Sequence, residues 1–168
     1  MKSATITINK DIVLKDIDAQ TFKRADGALS GESDQLRNAV SSDSSENLDK
    51  NLLFRFMESR DADVRAKLAF CLTEQDEVLS ATNEIDIYNG EFVYLLSVPD
   101  TFNKQKLQIL ATRIHDYIVN GTLYDWYATQ NMRAGVTLDE LKEMENKISF
   151  MLRSSYVKRP LQPFGPRN

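Results

Sequence analysis

Residues 82–99, TNEIDIYNGEFVYLLSVP, change the periodicity of the chain. Ile85 and Ile87 alternate with polar neighbours, and Phe92, Val93, Tyr94, Leu95, Leu96 and Val98 follow as an apolar, β-branched and aromatic run. Alternation with period two marks a half-buried strand, and short runs of this composition suit a buried one. Between them stands Asn89-Gly90, which supplies the two positive-φ residues of a type I′ turn. Pro99 has no N–H for a ladder and ends the second strand. The expectation is a β-hairpin over about 82–98. Two strands alone are only marginally stable in water. The hairpin therefore packs on helices or completes its sheet with strands of another subunit. Ile85, Ile87, Asn89, Gly90, Phe92 and Tyr94 are the candidate residues of such an inter-subunit hairpin.

The rest of the chain reads as helical on both sides of this stretch. Thr5-Ile6-Thr7-Ile8 alternates as a strand or extended arm, and Asn9 caps a helix with Ile12, Val13, Ile17 and Phe22 on its apolar face, stopping at Gly27. Residues 26–46 are rich in Ser, Asp and Gly and read as a loop. A long helix is expected over 44–75, opened by the capping-box spacing of Asp43 and Glu46. Its stripe is Leu48, Leu52, Leu53, Phe56, Met57, Val64, Leu68 and Leu72; Lys50, Arg55, Arg60, Asp61 and Lys67 make the opposite face. After Pro99, Asp100 or Asn103 starts a helix running past Gly121 to about Gln130, with Leu107, Leu110, Ile114, Tyr117 and Ile118 inward. Thr137 and Glu140 form a second capping box, before Leu141, Met144, Ile148 and Met151 or Leu152, with the end near Tyr156. The fold class is mainly α: a bundle of about four helices with one β-hairpin and an extended C-terminal tail. Residues 1–156 form one domain and 157–168 an extended, basic, proline-rich arm.

The inventory of reactive side chains argues against catalysis. One cysteine and one histidine in 168 residues can build neither a disulfide nor a His/Cys zinc site. Cys71 falls beside Leu68 and Leu72 and reads as a buried apolar thiol. His115 stands alone, without a Gly-x-Ser-x-Gly elbow, and no glycine-rich phosphate loop occurs. Pairs such as Asp61/Asp63 and Glu143/Glu145 read as solvated helix faces. The aromatics between 117 and 127 suit core packing better than base stacking, because Asp116 and Asp125 lie among them. No catalytic, cofactor or metal residue is expected, and the protein is not expected to be an enzyme. No apolar run spans a bilayer. Residues 1–10 lack the apolar stretch of a secretion signal, which points to synthesis in a reducing cytoplasm.

Charge divides the chain unevenly. After Glu145, the last acid, come Lys147, Arg153, Lys158, Arg159 and Arg167, which sum to +5. The whole chain carries -4, so residues 1–145 carry -4 minus 5, or -9. An acidic body with a basic arm suits contact with an acidic partner better than sequence-specific DNA binding by the body. In the arm, KRPLQPFGPRN, three prolines forbid a helix and favour extended backbone.

Three segments carry a resemblance: YLLSVPDTFNKQKL (94–107), IVNGTLYDWYAT (118–129) and SSYVKRPLQPFGPRN (154–168). With the order of elements over about 10–168, they resemble small virion proteins of Bacteroides-type phages and prophages. More broadly they resemble the helical head–tail connector (adaptor) proteins of long-tailed bacteriophages. The resemblance implies a structural ring subunit at the virion neck, docked under the portal protein, typically in twelve copies, extending the DNA channel between capsid and tail. It implies portal and neighbouring neck or tail proteins as partners, DNA only as cargo, no membrane, and synthesis in the host bacterial cytoplasm. Lys158, Arg159, Pro160, Leu161, Pro163, Phe164 and Arg167 are then the candidate partner-binding residues: cations for acidic groups, Leu161 and Phe164 as apolar anchors. Two other readings stand beside it. One is another neck component, a stopper or tail-completion protein. The other is a small cytosolic helical regulator that binds partners through its basic tail.

Overall fold

The computed structural model describes residues 1–27, 48–73 and 90–156. The elements are β1 (Lys2–Asn9), α1 (Lys10–Gly27), α2 (Leu48–Leu68), β2 (Glu91–Val98), α3 (Lys104–Thr129) and α4 (Leu138–Tyr156). The chain is mainly helical, with one two-stranded antiparallel pair, as its periodicity indicates.

The partner of β2 differs from the sequence expectation. β2 pairs with β1, Lys2 opposite Val98 through Asn9 opposite Glu91, so the strands come from distant parts of the chain. Gly90 does not take the positive φ that a type I′ turn demands. Its carbonyl instead accepts the Lys10 N–H at 2.7 Å and prolongs the β1–β2 ladder by one step. Ile85, Ile87 and Asn89 lie outside the described residues, as do the expected loop and the Asp43/Glu46 capping box. An alternating TITI segment and an apolar run suit each other because one sheet face is buried. Ile6 and Ile8 share that face with Phe92, Tyr94, Leu96 and Val98.

The starts of α1, α3 and α4 each have a chemical cause. Asn9 Oδ1 accepts from the N–H groups of Asp11 and Ile12 at 2.9 and 3.2 Å, so the strand runs straight into a capped α1. Asn103 Oδ1 accepts from Lys106 N at 2.9 Å and caps α3. At α4 the capping box closes: Thr137 Oγ1 accepts from Glu140 N at 3.2 Å, and Glu140 Oε2 accepts from Thr137 N at 2.7 Å. These bonds to its charged form hold the Glu140 carboxyl below its ordinary range. Beyond α3, Asn131 takes φ 54°, and Met132 N–H returns to the Tyr127 carbonyl, the left-handed ending asparagine tolerates.

α3 is the central element. It buries Leu110, Ile114, Tyr117, Ile118, Val119, Leu123, Trp126 and Tyr127, and α1, α2 and α4 pack around it. α1 contributes Val13, Ile17 and Thr21, one residue per helical turn. Ile12, expected on that stripe, lies about 100° round the helix from Val13 and is 54% exposed. α4 contributes Leu141, Ile148 and Leu152. α2 ends at Leu68, seven residues short of the expected end, because its last carbonyl takes the N–H groups of both Cys71 and Leu72. The chain then turns to lay Leu72 beside Leu96.

The expected polar face of α2 is also corrected. Asp61 lies on the buried stripe between Met57 and Val64, only 6% exposed. It is kept there by Tyr94, whose hydroxyl donates to Asp61 Oδ1 at 2.5 Å, and by Arg65 Nε at 2.7 Å. Arg60 is turned inward to Asp125 on α3 and to Asp63. A carboxylate in the core is tolerable only when both oxygens are satisfied. Asp61 meets that condition through one residue from β2 and one from its own helix.

Candidate functional site

Among the described residues the sheet has one sealed edge and one open edge. On the side of β2 away from β1, Leu95 O accepts from Thr73 N at 2.8 Å and Ser97 N donates to Cys71 O at 2.8 Å. Arg65 Nη2 donates to Val93 O at 3.2 Å, and the Tyr156 hydroxyl donates to Ser97 O. The odd-numbered residues of β2 thus face this side, and the even-numbered ones face β1. In an antiparallel ladder the same parity passes to the partner strand. Lys2, Ala4, Ile6 and Ile8 therefore bond to β2, while Ser3, Thr5 and Thr7 turn their N–H and C=O groups outward. All three are exposed. Among the described residues no strand pairs with that edge.

The open edge carries none of the devices that blunt such edges. Residues 3–9, SATITIN, contain no charge and no proline, whereas protected edges use lysines, prolines or bulges. The nearest cations are engaged elsewhere: the Met1 amine stands 3.3 Å from Asp100 Oδ1, and Lys2 Nζ donates to Asp100 O. At the other end Lys10 Nζ bonds Glu58 at 2.6 Å and lies over the Phe92 ring.

The second feature is the root of the C-terminal arm. Tyr156 closes α4 with its hydroxyl on Ser97 O and its ring edge-on to Phe70 at 5.7 Å. Arg153 stacks over Phe70 at 5.3 Å. Burial, with the Cys71 thiol near, raises the Tyr156 hydroxyl pKa, so it stays a donor. The point from which residues 157–168 depart is therefore fixed to the sheet. Lys158, Arg159, Pro160, Leu161, Pro163, Phe164 and Arg167 themselves lie outside the described residues. Of the six hairpin candidates, Phe92 and Tyr94 are core residues facing the helices and Gly90 extends the β1 ladder. The open edge belongs to β1, whose residues the sequence reading placed in no site.

The titratable groups are arranged as fasteners. Arg60 Nε and Nη2 grip Asp125, and Arg60 Nη1 reaches Asp63, which also accepts from the Tyr117 hydroxyl at 3.1 Å. Burial opposes the Arg60 charge, but the Asp125 carboxylate outweighs it and the pKa rises above the ordinary arginine value. Burial pushes the Tyr117 hydroxyl up to about 12. It also drives the Tyr94 hydroxyl well above the ordinary tyrosine value, with the Asp61 charge adding to it. Cys71 is buried, donates to Leu68 O at 3.2 Å and is pushed up to about 11 by burial, the reverse of a nucleophilic thiol. His115 Nε2 on α3 stands 3.2 Å from Asp16 Oδ2 on α1. Among the described residues no three His, Cys, Asp or Glu side chains converge as metal ligands. A cleft of about 430 Å³ between α1, α3 and the loop before α4 is lined by Gln20, Lys23, Asn120, Leu123, Tyr127, Gly135 and Val136. None of these described lining residues offers a carboxylate, imidazole or thiol for acid–base or nucleophilic chemistry.

No protein-family model matches the chain, and no curated protein or solved structure shows significant similarity to it. No described helix is long and apolar enough to cross a membrane.

Proposed function

We propose that the protein is a structural subunit of a phage neck, a head–tail connector whose copies form a ring under the portal protein and extend the DNA channel. The observation that carries this reading is the anchored arm root. A 12-residue basic arm follows a helical body at a point held by Tyr156 on Ser97, close to a sheet whose β1 edge is unpaired among the described residues. A body with fixed, unspent contact elements is suited to assembly. The segments that carry the resemblance fall on the end of β2 with the start of α3, on the second half of α3, and on the end of α4 with the arm.

Charge supports the same reading. A body of -9 around a channel repels phosphate and keeps DNA from sticking, while the +5 segment seeks acidic groups on a neighbour. The charged pairs of α2 and α3 are consumed within the fold, and no reactive cluster among the described residues competes as a function. The protein in this reading is not an enzyme, takes no cofactor and works in the virion neck.

The test is co-assembly with the portal protein of the same phage. Full-length chain should join portal rings, and a chain lacking residues 157–168 should fold normally but fail to join. Normal assembly of the truncated chain sinks the assignment of the arm. A ring seen elsewhere in the neck makes the protein a stopper or tail-completion subunit. Salt-sensitive DNA binding without any ring makes it a helical regulator.

A further inference from the structure

We draw no further inference here: the strongest candidate, the cleft between α1, α3 and the loop before α4, carries one charged side chain, exposed Lys23, among its described lining residues, and nothing in the structure shows what covers it.

Discussion

Arg60 lies across α3 at the one position where that helix presents no side chain, Gly121. A Cβ there would stand 2.6 Å from Arg60 Cδ and 2.8 Å from Nε. The guanidinium cannot simply swing away, because it holds Asp125 at 2.6 Å and Asp63 at 3.2 Å. A glycine inside a helix costs about 1 kcal/mol relative to alanine, so local propensity favours Gly121→Ala while the ion pair opposes it. Displacing a hydrogen-bonded charge costs about 1.5–3 kcal/mol, and the ion pair wins. Gly121→Ala should lose about 1 kcal/mol in chemical denaturation. In an Arg60→Ala background the same change should become neutral or stabilising, and a double-mutant cycle measures the reversal. Simple additivity of the two changes would refute the packing argument.

Tyr94 supplies the second partner of buried Asp61. Tyr94→Phe removes the donor and keeps the ring, leaving one carboxylate oxygen in the core without its bond. The expected loss is about 1–3 kcal/mol, the cost of an unsatisfied buried group. Asp61→Asn should be milder than Tyr94→Phe with Asp61 retained, because the amide carries no charge to strand. Equal stability of Tyr94→Phe and wild type in urea titration contradicts this.

These two cases show where the sequence was legible and where it was not. Helix starts were readable because a cap is a local event: Asn9, Asn103 and Thr137 with Glu140 lie within three residues of the groups they satisfy. The Phe92–Val98 strand was readable from its composition. Its partner was not, since β1 lies more than eighty residues away and Asn89-Gly90 gave a nearer, competing answer. Asp61 reads as solvent-facing because it is a charged residue next to Arg60 in sequence, although its spacing from Met57 and Val64 puts it on the apolar stripe, where Tyr94, a non-local residue, makes its burial tolerable. The open β1 edge was equally hidden, because it exists only once β2 has used its other side on Thr73, Cys71, Arg65 and Tyr156.

Alkaline stability follows from burial of a thiol. Burial raises Cys71 from 9.0 to about 11, so above pH 9 the unfolded chain releases a proton that the folded chain retains. Stability is full below pH 9 and falls as pH rises through about 11, by about 2 kcal/mol. Tyr117, raised from 10.0 to about 12, adds a further decline at higher pH. Urea denaturation between about pH 8 and pH 11 should show this fall. Cys71→Ala should be less stable at pH 8 but show a shallower decline between pH 9 and pH 11. An unchanged slope in Cys71→Ala would falsify the assignment.

Tyr156 tests whether the arm root is a local fastening. Tyr156→Phe deletes the hydroxyl that meets Ser97 O and keeps the edge contact with Phe70. Ser97 is half-buried, so water can replace part of the lost bond, and the cost is about 1 kcal/mol. For a chain of this size that shifts the melting temperature by about 2–4 °C. The larger effect is local. The last turn of α4 loses its tie to the sheet, and amides 153–156 should exchange several-fold faster while those of α3 stay protected. Uniform acceleration across the body would instead mean that the Tyr156–Ser97 contact holds the whole fold, and the arm would then hang from a global strut.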